Sequence, residues 1–303
     1  MKSLRCAVIL AGVLLAESLL TGAAASPLSP PAQGDTIRQR IIYKRIDSVA
    51  LYMDVFAPKN AKGKAPRPAM VFFFGGGWRG GTTRQFEPQA LYFATRGMVC
   101  FLVDYRVEGR HRSTPFESLM DAKSAIRYIK ANAATLGVDT SRIVAAGGSA
   151  GGHLAAATAL ISAFNDPGDD LSISPRPAAL VLFNPVIDNS KEGYGYGRLG
   201  ERYRDFSPLH NMRPGAPPTI FFLGTQDKII PVETARRYKE AMEASGNRCE
   251  LILYENQEHG FFNHKNPEFY RNTVYETDRF LRSLKLLRGK PTIPRGTPGQ
   301  PQP

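Results

Sequence analysis

Val144-Ala145-Ala146-Gly147-Gly148-Ser149-Ala150-Gly151-Gly152-His153-Leu154-Ala155-Ala156 carries the chain from a short apolar strand, Arg142 to Ala146, into an alanine-rich helix, with a serine at the corner. This is the arrangement of a nucleophile elbow. A turn this tight holds its central residue in a strained backbone conformation, so the residues two before and two after it must lack bulk. They are Gly147 and Gly151. At ordinary glycine and serine frequencies the G-x-S-x-G spacing recurs by chance in roughly one chain in ten of this length. The strand before it and the helix after it separate Ser149 from a plain glycine-rich turn.

Outward from this corner the apolar patterning is regular. Ile41 to Ile46 and Leu51 to Phe56 alternate on either side of Asp47-Ser48 and predict an antiparallel hairpin at a sheet edge. Ala69 to Phe74 is an unbroken apolar run, the mark of a strand covered on both faces. Further strands are predicted at Met98 to Val103, Ala179 to Phe183, Thr219 to Leu223 and Glu250 to Tyr254. Helices fall at Arg84 to Arg96, Phe116 to Leu136, Gly152 to Phe164, Pro231 to Ala244, and Pro267 to about Leu287. Strands joined through helices need crossover connections, so the fold class is α/β, a mostly parallel central sheet of about eight strands with helices on both faces. Functional groups in such a sheet belong in the loops after the strands' carboxyl ends.

The 303 residues, 43% apolar and 22% charged, form an ordinary globular composition. The start differs: Lys2 and Arg5, the apolar run Cys6 to Leu20 interrupted at Glu17 and Ser18, then Ala23-Ala24-Ala25. That order predicts a signal peptide over residues 1–25, cleaved after Ala25, and an exported enzyme, periplasmic or extracellular. As a membrane anchor the run is short and burdened by Glu17, so no stable anchor is expected after cleavage. Residues 26–37 read as a flexible lead, 38–287 as the catalytic domain and 288–303 as a disordered tail. Cys100 and Cys249 sit in strand-like runs and read as free buried thiols, although an exported protein could pair them. The net charge of +12 is scattered and accompanies no nucleic-acid motif, so no nucleic-acid partner is expected. Neither a zinc-protease signature nor a phosphate-cradling glycine loop is present, and no metal or cofactor is expected.

A serine hydroxyl needs a base to take its proton and a carboxylate to orient that base. Among five histidines, His259 stands in Asn256-Gln257-Glu258-His259-Gly260-Phe261-Phe262, just beyond the last strand. His153 lies one turn into the serine's own helix and reads as packing. Asp227, in Leu223-Gly224-Thr225-Gln226-Asp227, follows the strand before that one; Asp188 is the runner-up for the acid. The order Ser149, Asp227, His259 is that of α/β hydrolases. Ester cleavage passes through a tetrahedral oxyanion that needs donors already in place. The amide of Ala150 supplies one, and Phe74-Gly75-Gly76-Gly77-Trp78 supplies others from Gly76 and Gly77. Asp104, Arg106 and Asp121 read as ionic supports for the loop after the fourth strand. Between Asn184 and Pro208 a Gly- and Tyr-rich irregular stretch follows a strand end, the place of a lid or binding loop.

Together these motifs, with Asp104-Tyr105-Arg106, resemble over roughly Arg38 to Leu287 the α/β-hydrolase esterases and lipases related to hormone-sensitive lipase and to bacterial feruloyl and acetyl xylan esterases. The resemblance implies an α/β-hydrolase fold and a serine esterase. In that group the oxyanion loop usually begins with a histidine that fixes it by hydrogen bonding; Phe74 stands there instead, which leaves open what holds this loop. Export and the resemblance together imply a small-molecule or polysaccharide ester as substrate, with short acetyl or feruloyl-type acyl groups on a carbohydrate. Trp78, Tyr194 and Tyr196 are the candidate flat faces for its ring. Two other functions share the fold. A peptidase or amidase commonly has a larger residue than Ala150 after the serine, and a silent binding protein tends to lose a member of the triad.

Overall fold

The computed structural model describes residues 36–59 and 65–302. The expected signal peptide and most of the lead lie outside the described residues. The lead's last two residues, Thr36 and Ile37, already belong to the first strand.

Nine strands form one sheet in the order β1-β2-β4-β3-β5-β6-β7-β8-β9. They are β1 (Thr36–Ile46), β2 (Val49–Pro58), β3 (Arg67–Phe73), β4 (Val99–Val103), β5 (Val138–Gly148), β6 (Ala179–Phe183), β7 (Thr219–Gly224), β8 (Cys249–Tyr254) and β9 (Gln300–Pro301). The β1–β2 hairpin is antiparallel, as is the pairing of β2 with β4, while β4, β3, β5, β6, β7 and β8 run parallel. Five helices are longer than one turn: α1 (Glu87–Thr95), α3 (Pro115–Ala131), α5 (Ala150–Leu160), α8 (Val232–Ala244) and α9 (Pro267–Ser283). Single turns make up α2 (Glu108–His111), α4 (Ala133–Leu136), α6 (Tyr196–Leu199) and α7 (Tyr203–Phe206).

The period of two in the strands sorts the core into two layers. Val71, Phe73, Phe101, Val103, Ala145, Leu182, Phe221 and Leu253 meet α3, α5 and α8 on one face. Their neighbours Met70, Phe72, Leu102, Val144, Ala146, Val181, Phe183, Phe222 and Ile252 meet α1 and α9 on the other. Both faces are covered, which is why β4, β6 and the Ala69–Phe73 stretch of β3 are apolar throughout. The edge strand β1 is mostly exposed or half-buried. Helix α3 starts at a capping box in which Thr114 and Glu117 bond reciprocally, with Pro115 at the first helical position. The single helix expected to Leu136 breaks at Asn132, and the turn after it stops at Gly137 in the left-handed conformation.

The tail departs from expectation. Instead of a disordered segment after Leu287, Gln300 and Pro301 pair with Leu253 and Ile252 on the free edge of β8. Arg295 reaches the buried Glu276 at 3.0 Å, and Ile293 packs on the α1/α9 layer. The segment lacks apolar periodicity because an extended edge segment is held mainly by backbone hydrogen bonds, to which composition is blind. Cys100 and Cys249 are free and buried; they lie on β4 and β8, with β3, β5, β6 and β7 between them.

Candidate active site

Strand β5 delivers Ser149 to the carboxyl edge of the sheet with φ 53° and ψ −120°, a conformation L residues adopt only under constraint. The constraint is packing: a Cβ at Gly147 would lie 2.2 Å from the Gly151 carbonyl oxygen, and one at Gly151 would lie 2.0 Å from that of Phe73. Helix α5 begins at the next residue, and the Ser149 carbonyl accepts from the amides of His153 and Val186, both at 3.0 Å.

The loops after β8 and β7 bring His259 and Asp227 to the serine. His259 Nε2 is 2.9 Å from Ser149 Oγ, and His259 Nδ1 is 2.7 Å from Asp227 Oδ2. The Asp227 side chain is fully buried, and its other oxygen accepts from the amides of Ile229 at 2.8 Å and Ile230 at 2.9 Å. A carboxylate so placed can only accept, so Nδ1 carries the ring proton and Nε2 presents its lone pair to the Ser149 hydroxyl. Asp188 is elsewhere: its carboxylate accepts from the Ser190 amide at 2.9 Å and faces Arg237 at 3.5 Å. His153 is buried, with Nε2 at 2.8 Å from the Phe206 carbonyl and its pKa pushed down to about 3 by burial, so it stays neutral and packs. Asp121 receives the Arg106 guanidinium and backbone amide and the Lys44 ammonium, and Asp104 pairs with Arg110. Both support the loop after β4.

The glycine loop lies against the corner: a Cβ on Gly75 would stand 3.3 Å from that of Ser149. Gly76, Gly77 and Trp78 follow with φ 128°, 63° and 58°, three successive left-handed residues. Such a run turns the backbone sharply at a site where a Cβ costs about 1 kcal/mol or more. Among the described residues, the amides of Gly76, Gly77 and Ala150 donate to no protein acceptor. Where the family's histidine would stand, Phe74 stacks on Tyr105 with ring centres 4.1 Å apart, and the Tyr105 hydroxyl donates to the Phe74 carbonyl at 2.6 Å. Burial, with Asp104 nearby, pushes the Tyr105 pKa well above its ordinary value, so the hydroxyl remains a donor.

One of the aromatic candidates is not where a ligand could stack on it. Trp78 is 0% exposed, its indole enclosed by His153, Tyr194 and Phe206. Tyr196 spends its hydroxyl on Glu201 at 2.6 Å and its ring on Tyr203 and Lys191, all within its own segment. Tyr194 fits better, since a Cβ on Gly77 would meet its hydroxyl at 2.6 Å. The segment is strapped to the glycine loop by Arg198, which donates to the Gly77 carbonyl at 2.6 Å and pairs with Glu108 at 3.1 Å.

The BD-FAE family profile matches residues 53–190 and that of the dienelactone hydrolase family residues 194–288. The chain is 30% identical to Esterase LipC of Mycobacterium tuberculosis over 285 residues, 83% of this chain and 68% of that one. Thermogutta terrifontis esterase 2, solved phosphoramylated by tabun, superposes with a TM-score of 0.80 and 44% identity over 88% of this chain and 100% of that one. The chain belongs to the α/β-hydrolase serine esterases. It is a carboxylesterase-type hydrolase. The esterase is also 26% identical to the acetylxylan esterase of Xylanibacter ruminicola, over 69% of this chain and 43% of that longer one.

Some residues of the esterase's site carry no motif. Asn184, the first residue after β6, has φ 35° and holds the Gly260 amide on Oδ1 at 3.0 Å, with Nδ2 3.4 Å from His259 Nε2. Its place at a strand's carboxyl end was the available signal. Gln85, Asn263 and Arg198 gave none, because their partners are distant backbone and amide groups. The Tyr105→Phe variant leaves the buried Phe74 carbonyl without its donor. Thermal unfolding should show a loss of about 1–3 kcal/mol, and turnover of a short ester should fall about tenfold as the loop loosens. Unchanged stability and rate would mean that the loop is held by other contacts.

Proposed function

We propose that this esterase removes short acyl groups, acetyl or feruloyl-type, from carbohydrate esters outside the cytoplasm, through an acyl-enzyme on Ser149. The observation that carries the mechanism is the chain Ser149 Oγ to His259 Nε2 at 2.9 Å and His259 Nδ1 to Asp227 at 2.7 Å. His259 takes the hydroxyl proton as Ser149 Oγ bonds to the ester carbonyl carbon. The carbonyl oxygen becomes an oxyanion among the amides of Gly76, Gly77 and Ala150, the last at the positive end of α5. Asp227 stabilises the imidazolium. On collapse the C–O bond to the alcohol breaks, and His259 returns its proton to that alcohol. Water then repeats the sequence on the acyl-enzyme, releasing the acid and restoring Ser149.

A fluorophosphonate probe should label the enzyme at Ser149 and leave Ser149→Ala unlabelled. Ser149→Ala and His259→Ala should each lower kcat by about four orders of magnitude or more, and their combination by no more than the worse single change. Asp227→Asn should be severe and Asp188→Asn mild. The reverse order would transfer the acid's role to Asp188.

Support for a short acyl group comes from the cleft's cover, where α6 and α7 are single turns and the stretch around them is Gly- and Tyr-rich and charged. No long apolar helix among the described residues could rest on lipid there. Thermogutta terrifontis esterase 2 has been solved with propionate and with butyrate bound. Specificity constants for acetyl, butyryl and longer esters, with acetate release from acetylated xylan, provide the test. Rate should fall as the chain lengthens; preference beyond about ten carbons with interfacial activation overturns the reading.

Export rests on the basic, apolar and small-residue order of residues 1–25. Amino-terminal sequencing of the enzyme from the native cell should begin at Ser26, and a soluble product that retains Met1 refutes export.

A further inference from the structure

Two side-chain amides join the glycine loop to the histidine loop in an unbroken line, and a third holds the histidine loop from the end of β6. The Gly75 amide donates to Gln85 Oε1 at 2.7 Å, Gln85 Nε2 donates to Asn263 Oδ1 at 3.1 Å, and Asn263 Nδ2 donates to the Gly260 carbonyl at 2.7 Å. From the same residue, the Gly260 amide donates to Asn184 Oδ1 at 3.0 Å, and Asn184 Nδ2 faces His259 Nε2 at 3.4 Å.

The polarity of this line is determined at its ends. A backbone amide can only donate, so Gly75 fixes the oxygen side of Gln85; a backbone carbonyl can only accept, so Gly260 fixes the nitrogen side of Asn263. The bond between the two side chains must then run from Gln85 to Asn263. By the same reasoning the Gly260 amide turns the nitrogen of Asn184 toward His259. That nitrogen is a donor, so it favours a lone pair on Nε2, the tautomer that Asp227 imposes from the opposite side of the ring.

We propose that Gln85, Asn263 and Asn184 are positioning residues that set the glycine loop against His259, so that the oxyanion donors and the base keep one mutual geometry. The proposal rests on the acyl-enzyme reading above. It also answers what holds a loop that lacks the family's histidine: Tyr105 secures the carbonyl of Phe74, and Gln85, on the turn that follows the loop, secures the next amide. The bond at Gly75 lies immediately before the two glycines whose amides must converge on the oxyanion. Displacement of such donors by about 1 Å costs up to about a hundredfold in rate.

The experiment is a double-mutant cycle on Gln85→Leu and Asn263→Leu. It reads kcat and KM for a short acyl ester together with inhibition by a short-chain trifluoromethyl ketone, to which Ser149 adds as it does to an ester. Each variant should lose about 10- to 100-fold in kcat with KM within about twofold, and should weaken the ketone by the same factor. The double variant should be no worse than the poorer single, because either break opens the line. Gln85→Glu and Asn263→Asp keep volume and polarity, guarding against a folding defect. Each sets two acceptors face to face, so each should reproduce the kcat loss. Asn184→Leu should also lower kcat.

Additive losses, or ketone affinity unchanged while kcat falls, overturn the relay. If the wild type is labelled by the fluorophosphonate at Ser149 and these variants keep wild-type kcat, the relay fails while the acyl-enzyme stands. If Ser149→Ala still hydrolyses the ester, the acyl-enzyme fails and the relay with it.

Discussion

Gly147 and Gly151 meet across the Ser149 corner, and every other feature of the site depends on how closely they do so. A methyl group on either would sit about 2 Å from a backbone carbonyl oxygen, closer than any real contact. With hydrogen in its place, α5 approaches the ends of β3 and β5, and the serine is held at φ 53° with its hydroxyl raised above the sheet edge. The cost of that conformation, about 1–3 kcal/mol, is offset by the burial of α5, whose residues are all buried. A corner restrained in this way cannot relax when substrate arrives, so the nucleophile and the adjacent Ala150 amide need little reorganisation during reaction.

The partners of the serine are placed by different means. Parallel pairing of β5, β6, β7 and β8 brings all their carboxyl ends to one side, so four loops distant in sequence share one edge. Asp227 is fixed by two backbone amides of its own loop and leaves one oxygen for His259. His259 hangs from a loop whose backbone is gripped by Asn184 and Asn263. Side-chain amides suit this task, because each can accept from one loop and donate to another, and a half-buried pair whose ends meet a backbone amide and a backbone carbonyl has only one satisfied orientation.

The cover of the site is built from aromatic packing rather than from an apolar helix. Trp78 lies at the turn of the glycine loop and fills the space between His153, Tyr194 and Phe206. Arg198 then fastens the covering segment to the Gly77 carbonyl and to Glu108. The residue that looked like a ligand platform is part of the wall, and its burial maintains a left-handed backbone at φ 58° that an indole side chain would otherwise avoid.

The sequence by itself determined the strand and helix succession, the serine corner, the order Ser149, Asp227, His259 and the place of the glycine loop. Each of these is a local matter: periodicity of two or 3.6, glycine where no Cβ fits, and polar residues just past a strand end. Only the tertiary structure decided that Trp78 is enclosed, that Tyr196 turns to Glu201, that the last residues pair with β8, and that Gln85, Asn263 and Asn184 link two loops. Burial and amide-to-amide hydrogen bonds join residues as many as 178 positions apart. No spacing rule along the chain encodes such a meeting, because it arises from where the sheet sets the loops down.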